Sequence, residues 1–125
     1  MSASQLGDLQ LAIMKVLWER GEAAVADVAA ALQDERGLAL TTIATMLVKM
    51  EQRGLVEHRS EGRRYLYRPL LSEGEVRRSM VGDLRRRLFG GDAAALVSHL
   101  IEEHDIDAEE LGRLRALIAQ QDKEE

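Results

Sequence analysis

The chain has 125 residues, 46% of them apolar and 3% aromatic, with 22 acidic side chains against 17 Lys and Arg for a formal charge of -5. That length allows one domain with its own core plus an extension that needs a partner, and it leaves the core to Leu, Val, Ile, Met and Ala. The absence of cysteine excludes disulfides, a zinc-cysteine site and thiol redox sensing. No apolar run approaches the roughly 18 residues of a membrane span and the start lacks a signal-peptide pattern, so a cytoplasmic protein without membrane insertion is expected.

The first helix is predicted over about Asp8 to Glu19. Leu6, Leu9, Ile13, Val16 and Leu17 form one wide apolar stripe, while Leu11, Met14 and Trp18 add apolar surface on other sides and call for more than one packing neighbour. Trp18 reads as a core or intersubunit anchor, and Gly21 closes the helix. Ala24 to Leu32 forms the next helix, apolar at Val25, Val28, Ala29 and Leu32, and Gln33 to Ala39 is a polar loop around Gly37. A third helix follows Leu40, with Ile43, Leu47 and Met50 in one stripe. Helix, connection and helix make a helix-turn-helix, with a connection somewhat long for its tightest version.

The third helix has a second face carrying Thr42, Thr45, Lys49 and Arg53. Threonine offers a hydroxyl or a methyl to base edges, and the two cations suit phosphates or guanines. Gly54 stops this helix and the period changes to two. Leu55 to Arg59 is β-compatible, Ser60-Glu61-Gly62 reads as the turn, and Arg63 to Arg68 alternates until Pro69 ends it. Tyr65 and Tyr67 can lie on the core side or touch phosphate, but not both, since only alternate residues share a face. From Arg36 to Arg68 seven basic residues stand against three acidic ones, a local net of +4, and anionic backbone is met by such a patch and not by the chain average.

Beyond Pro69 the pattern is helical and then acidic. Ser72-Glu73-Gly74-Glu75 matches a capping box, followed by Val76, Met80, Leu84 and Leu88 at four-residue spacing. Gly90-Gly91 breaks the chain, Leu96, Val97, Leu100 and Ile101 define another helix, and a last one starts at Asp107 with Glu110 as a second capping box and buries Leu111, Leu114, Leu117 and Ile118. Asp92 to Glu125 has ten acidic against three basic residues, a net of -7, so it should face away from DNA. Its stripes, with Leu84, Leu88, Leu96, Leu100, Leu111, Leu114 and Ile118 as the dimerisation set, are not expected to stay wet in a monomer.

The expected fold is mainly α with a small β-hairpin: a winged helix-turn-helix over residues 1–70 binding double-stranded DNA, then a helical dimerisation domain over 71–125. Two-fold symmetry would match a palindromic operator. The rival is a winged-helix protein-interaction module whose basic hairpin meets an acidic partner; its surface would more usually carry large apolar anchors. No nucleophile with a base and no paired carboxylates beside a pocket are legible, so an enzyme is not expected. His99 and His104 lie five apart across a helix end, poor geometry for a shared metal, and with His58 they read as surface or dimer-interface residues. No metal and no cofactor are expected.

Several stretches together resemble the penicillinase-repressor family, the BlaI/MecI/CopY-like repressors. They are Ile13 to Trp18, Leu40 to Leu47, Lys49 with Gly54-Leu55-Val56, Gly62 to Pro69, Leu88-Phe89-Gly90-Gly91 and Glu109-Glu110-Leu111. The resemblance implies a homodimeric repressor on a palindromic operator of a β-lactamase, copper-homeostasis or similar stress operon, released on induction by an inactivating protease. It implies groove contacts from Thr41, Thr42, Thr45 and Lys49, with Met46 beside them, and phosphate contacts from Arg63 and Arg64. Thr41 is open between groove contact and capping its own helix. Where the family usually has a capping hydroxyl, a glutamate and a tryptophan, this chain has Gly7, Gln10 and Leu11. The Asn-Phe bond cut in antibiotic-sensing members is His99-Leu100 here, and the cysteine cluster of copper-sensing members is absent.

Overall fold

A computed structural model describes residues 6–124, leaving the side chains of 34–36 and 124 aside. The N-terminal stretch read for a signal peptide, the Arg36 side chain that opens the basic segment, and the acidic side chains of residues 124 and 125 therefore lie outside the described residues. The elements run α1 (Asp8–Arg20), β1 (Ala23–Ala24), α2 (Val25–Arg36), α3 (Leu40–Gln52), β2 (Val56–Glu61), β3 (Arg64–Pro69), α4 (Glu73–Phe89), α5 (Ala93–Glu102) and α6 (Ala108–Glu124). They divide into two compact units, one ending at Asp83 and one beginning at Leu84. No helix among the described residues is long and apolar enough to cross a membrane.

The first unit is built on the predicted stripes. Ile13, Met14 and Leu17 of α1, Val28 of α2 and Ile43, Leu47 and Met50 of α3 are fully buried, joined by Val56 of β2 and the nearly buried Tyr67 of β3. Trp18 packs partly buried on this core while its indole Nε1 donates to the Leu71 carbonyl at 2.8 Å. An indole buried beside apolar groups needs such an acceptor, and here it ties α1 to the segment leaving the hairpin.

Three boundaries differ from expectation. The polar segment after Leu32 is helical to Arg36, so the connection to α3 shrinks to Gly37–Ala39. Gly37 ends α2 in the left-handed region (φ 57°) and its N–H donates to the Gln33 carbonyl at 2.9 Å, leaving a tighter helix-turn-helix than the residue pattern suggested. Ala24 does not begin a helix. With Ala23 it forms β1, which pairs antiparallel with β3 in the register Ala23↔Tyr67 and Ala24↔Leu66. The hairpin turns at Gly62-Arg63 and not at Ser60-Glu61-Gly62, because Glu61 already pairs with Arg64; Gly62 supplies the positive φ of 62°.

The sheet order is β1-β3-β2. Arg59 on β2 reaches across to Glu22 just before β1, donating from Nε at 3.1 Å and from Nη2 at 2.7 Å. The hydrogen bond from Arg59 holds the Glu22 carboxyl below its ordinary value, helped by the charges of Arg59 and Arg68 against a smaller opposing effect of burial. On the other face, Tyr65 and Tyr67 do share a side as alternation requires, yet Tyr67 is 3% exposed and Tyr65 53%. The core ends between them, so the expected choice between core and solvent divides along one face. Burial pushes the Tyr67 phenol above its usual value of 10, with Glu51 and Tyr65 adding to the rise.

Both expected capping motifs are formed, one in the first unit at the start of α4 and one in the second unit before α6. Ser72 Oγ accepts from the Glu75 N–H at 3.1 Å and Glu75 Oε1 accepts from the Ser72 N–H at 3.3 Å at the start of α4. Asp107 and Glu110 exchange the same pair at 2.8 Å and 3.2 Å before α6, and Asp92 caps α5 through the Ala95 N–H at 3.0 Å. No described residue from Leu84 onward is buried. The expected burial of Leu117 and Ile118 is not met within one chain, where they stand 67% and 60% exposed.

Two pH dependences follow for the first unit. Since the folded Glu22 carboxyl sits below its unfolded value, its stabilisation is complete above about pH 4.5 and is lost as pH falls through the lower folded value. Melting curves of Glu22→Gln should converge with those of the parent at the acid end. Tyr67 has the opposite sign: its raised folded value makes the stabilisation complete below about pH 10 and lost as pH rises further. Tyr67→Phe should therefore flatten the alkaline fall in melting temperature, and an alkaline limb identical to the parent's would refute that assignment.

Candidate nucleic-acid interface

Helix α3 presents the predicted second face. Its inward stripe is sealed in the core, and Thr41, Thr42, Thr45, Met46 and Lys49 together line a shallow recess of about 300 Å³ on the opposite side. Thr41, Thr42, Thr45 and Lys49 are exposed and Met46 is half-buried. The N-cap of α3 is Ala39, which makes no side-chain cap, so Thr41 lies within the first turn of the helix and the capping alternative is overturned. Hydroxyls, methyls and one ammonium thus share one exposed helical surface.

Arg53 is not gathered into that recess. It is the C-cap of α3, half-buried, and its Nη1 donates to Gln10 Oε1 of α1 at 2.9 Å. Sequence spacing put it on the outer face, but the helix ends at Gln52 and the side chain turns toward α1 instead.

The hairpin stands beyond the C-terminal end of α3. Arg63 is exposed in its turn and makes no ion pair with any described residue. Arg64, exposed on β3, lies 3.6 Å from Glu61. Arg59 is held by Glu22 and also donates to Glu61 at 3.1 Å, and Arg68 pairs with Glu57. Three of the arginines in the net positive stretch, Arg59, Arg64 and Arg68, therefore stand in surface ion pairs. Such exposed pairs are worth about 0–1 kcal/mol each and can exchange for another anion.

His58, legible in the sequence only as a surface or interface residue, joins the hairpin to α3. Its Nδ1 lies 2.6 Å from Glu51 Oε1, and its ring stacks at 4.3 Å on Tyr65 and 5.4 Å from Tyr67. A signal for this was present: His58, Tyr65 and Tyr67 alternate onto one face. His99 packs on Phe89 at 5.9 Å, and His104 ends α5 at φ 60°. Among the described residues no three His, Cys, Asp or Glu side chains are placed to hold a metal ion.

Comparison with known proteins gives this arrangement a family. The transcriptional regulator BlaI of Mycobacterium tuberculosis is 34% identical over 119 residues, covering 94% of this chain and 85% of that protein. The penicillinase repressor of Bacillus licheniformis is 25% identical over 114 residues, covering 91% and 89%. Among solved structures, the monomeric form of Bacillus licheniformis BlaI in complex with the blaP half-operator is 31% identical with a TM-score of 0.50, covering 57% of this chain and 87% of that one. The family model for the penicillinase repressor matches residues 6–120, and the chain belongs to this family of winged-helix transcriptional regulators.

Proposed function

We propose that this protein is a homodimeric transcriptional repressor that binds a palindromic operator. The observation that carries the reading is the outer face of α3, where Thr41, Thr42, Thr45 and Lys49 stand exposed on a helix whose other side is locked in the core. Such a helix can enter a major groove without deforming the domain, while Arg63 and Arg64 at the hairpin tip meet the flanking phosphates. The half-operator in the Bacillus licheniformis BlaI complex supports one half-site per protomer.

Dimerisation is assigned to the second unit. Leu84, Leu88 and Ile118 are exposed in the single chain, and Leu96, Leu100, Leu111 and Leu114 are half-buried. Leu100 and Leu114 line an apolar recess of about 320 Å³ with Val97, Ile106 and Leu117. Surface of this kind is the signature of a missing partner, and a second copy joins two half-site contacts into one tight complex. The names of the relatives favour a β-lactamase or similar stress-response operon as the regulated one. Release on induction by proteolysis belongs to this reading, and because His99-Leu100 inside α5 replaces the Asn-Phe pair, the protease would need another specificity or another bond.

Selection of bound sequences from random duplex DNA tests the reading first, and an enriched palindrome bound far more tightly than a scrambled duplex is expected. Absence of enrichment, with weak binding that salt abolishes, would favour a protein-interaction module. With the enriched duplex, Arg63→Glu with Arg64→Glu should weaken binding and make the log-log salt dependence shallower by roughly 0.9 for each phosphate that is no longer neutralised. Equal affinity with an unchanged slope would remove the hairpin from the interface. Leu100→Glu with Leu114→Glu should sediment as a monomer and lose roughly 100-fold or more in operator affinity; a monomer binding as tightly as the parent would overturn the dimer.

A further inference from the structure

Gln10 of α1 sits at a junction that no sequence spacing would suggest. Its Oε1 accepts from Arg53 Nη1 at 2.9 Å and from the Gly7 N–H at 3.1 Å, while its Nε2 lies 3.5 Å from Met46 Sδ in a donating geometry. Two donors converging on one oxygen fix which end of the amide faces which way, so the nitrogen must point at Met46. Gly7 has no side chain to return a capping bond, and Gln10 alone closes the first turn of α1.

Met46 and Arg53 are seven residues apart on α3, two turns or about 10 Å along the helix. A single side chain of α1 therefore grips α3 at its middle and at its C-cap. Met46 also belongs to the recess with Thr41, Thr42, Thr45 and Lys49. A rotation of α3 by about 10° moves side-chain tips 5–6 Å from its axis by about 1 Å, enough to misalign hydrogen bonds to base edges. The apolar stripe on the far side resists large rotations, but soft packing tolerates small ones; directional bonds at two points do not.

We infer that Gln10 is a positioning residue for base recognition: it touches no DNA, and it sets the rotational angle of α3 through Met46 and Arg53. The inference rests on the DNA-binding reading above. Without the grip, discrimination between sequences should fall while the attraction of Lys49, Arg63 and Arg64 for phosphate stays intact, because phosphate contacts follow charge and tolerate small displacements.

The test compares the full chain with Gln10→Leu and Gln10→Glu on the selected duplex and on its scramble, at several salt concentrations and well below each melting temperature. Leucine keeps the bulk and removes both polar arms; glutamate keeps the oxygen that Gly7 and Arg53 need. Gln10→Leu is expected to lower the ratio of selected to scrambled affinity about tenfold, the scale of a single base-edge pairing, with scramble affinity and salt slope unchanged. Gln10→Glu, which keeps the Arg53 arm and loses the donor to Met46, should recover part of that ratio. Should leucine lower the melting temperature into the assay range, Gln10→Ala replaces it. A parent that discriminates while Gln10→Leu discriminates equally well overturns the inference alone. So does a weakening that extends equally to the scramble or that glutamate does not relieve. A parent that binds both duplexes equally overturns the DNA reading and this assignment together.

Discussion

The docking of α3 through Ile43, Leu47 and Met50 is the contact on which the rest of the first unit depends. All three are fully buried against Ile13, Met14, Leu17 and Val28, and truncating any such side chain typically costs about 2–5 kcal/mol. With those positions inside, helical geometry puts Thr42, Thr45 and Lys49 outside. The short link through Gly37 brings α3 directly after α2. The hairpin is then seated by Val56 and Tyr67 entering the same core at its base, leaving its tip in solvent.

Most of the charge on the hairpin is arranged in pairs. Arg59, Arg64 and Arg68 each have a carboxylate on the same small sheet or beside it, and only the turn residue Arg63 extends past them. A hairpin built this way concentrates its unpaired positive charge at the tip while its flanks stay close to neutral. The His58 contact with Glu51 adds a polar link between the hairpin base and the end of α3.

The legible parts of the fold are those written in near-neighbour patterns. The stripes of α1 and α3, the capping boxes at Ser72 and Asp107, the stop at Gly54 and the hairpin all depend on residues within a few positions of one another, and all are present. Strand β1 is illegible because Ala23-Ala24 carries no alternation and becomes a strand only by pairing with β3, some forty residues away. The grip of Gln10 on Met46 and Arg53 spans 36 and 43 positions and rests on side-chain direction, which periodicity does not encode. For the same reason Arg53 looked outward on a helical wheel: the wheel assumes that the helix continues. The outer threonines and Lys49 were readable as a group because their spacing is their geometry.

The second unit differs in kind from the first. From Leu84 to the end of the described residues nothing is buried, and Leu88 is 70% exposed on a helix that is otherwise well capped. Local bonds can start these helices, but short helices without a covered face hold little free energy of their own. Their persistence is then set by mass action with whatever covers them. With the second copy proposed above as that cover, the concentration of the chain becomes a structural variable, and dilution is expected to loosen this unit.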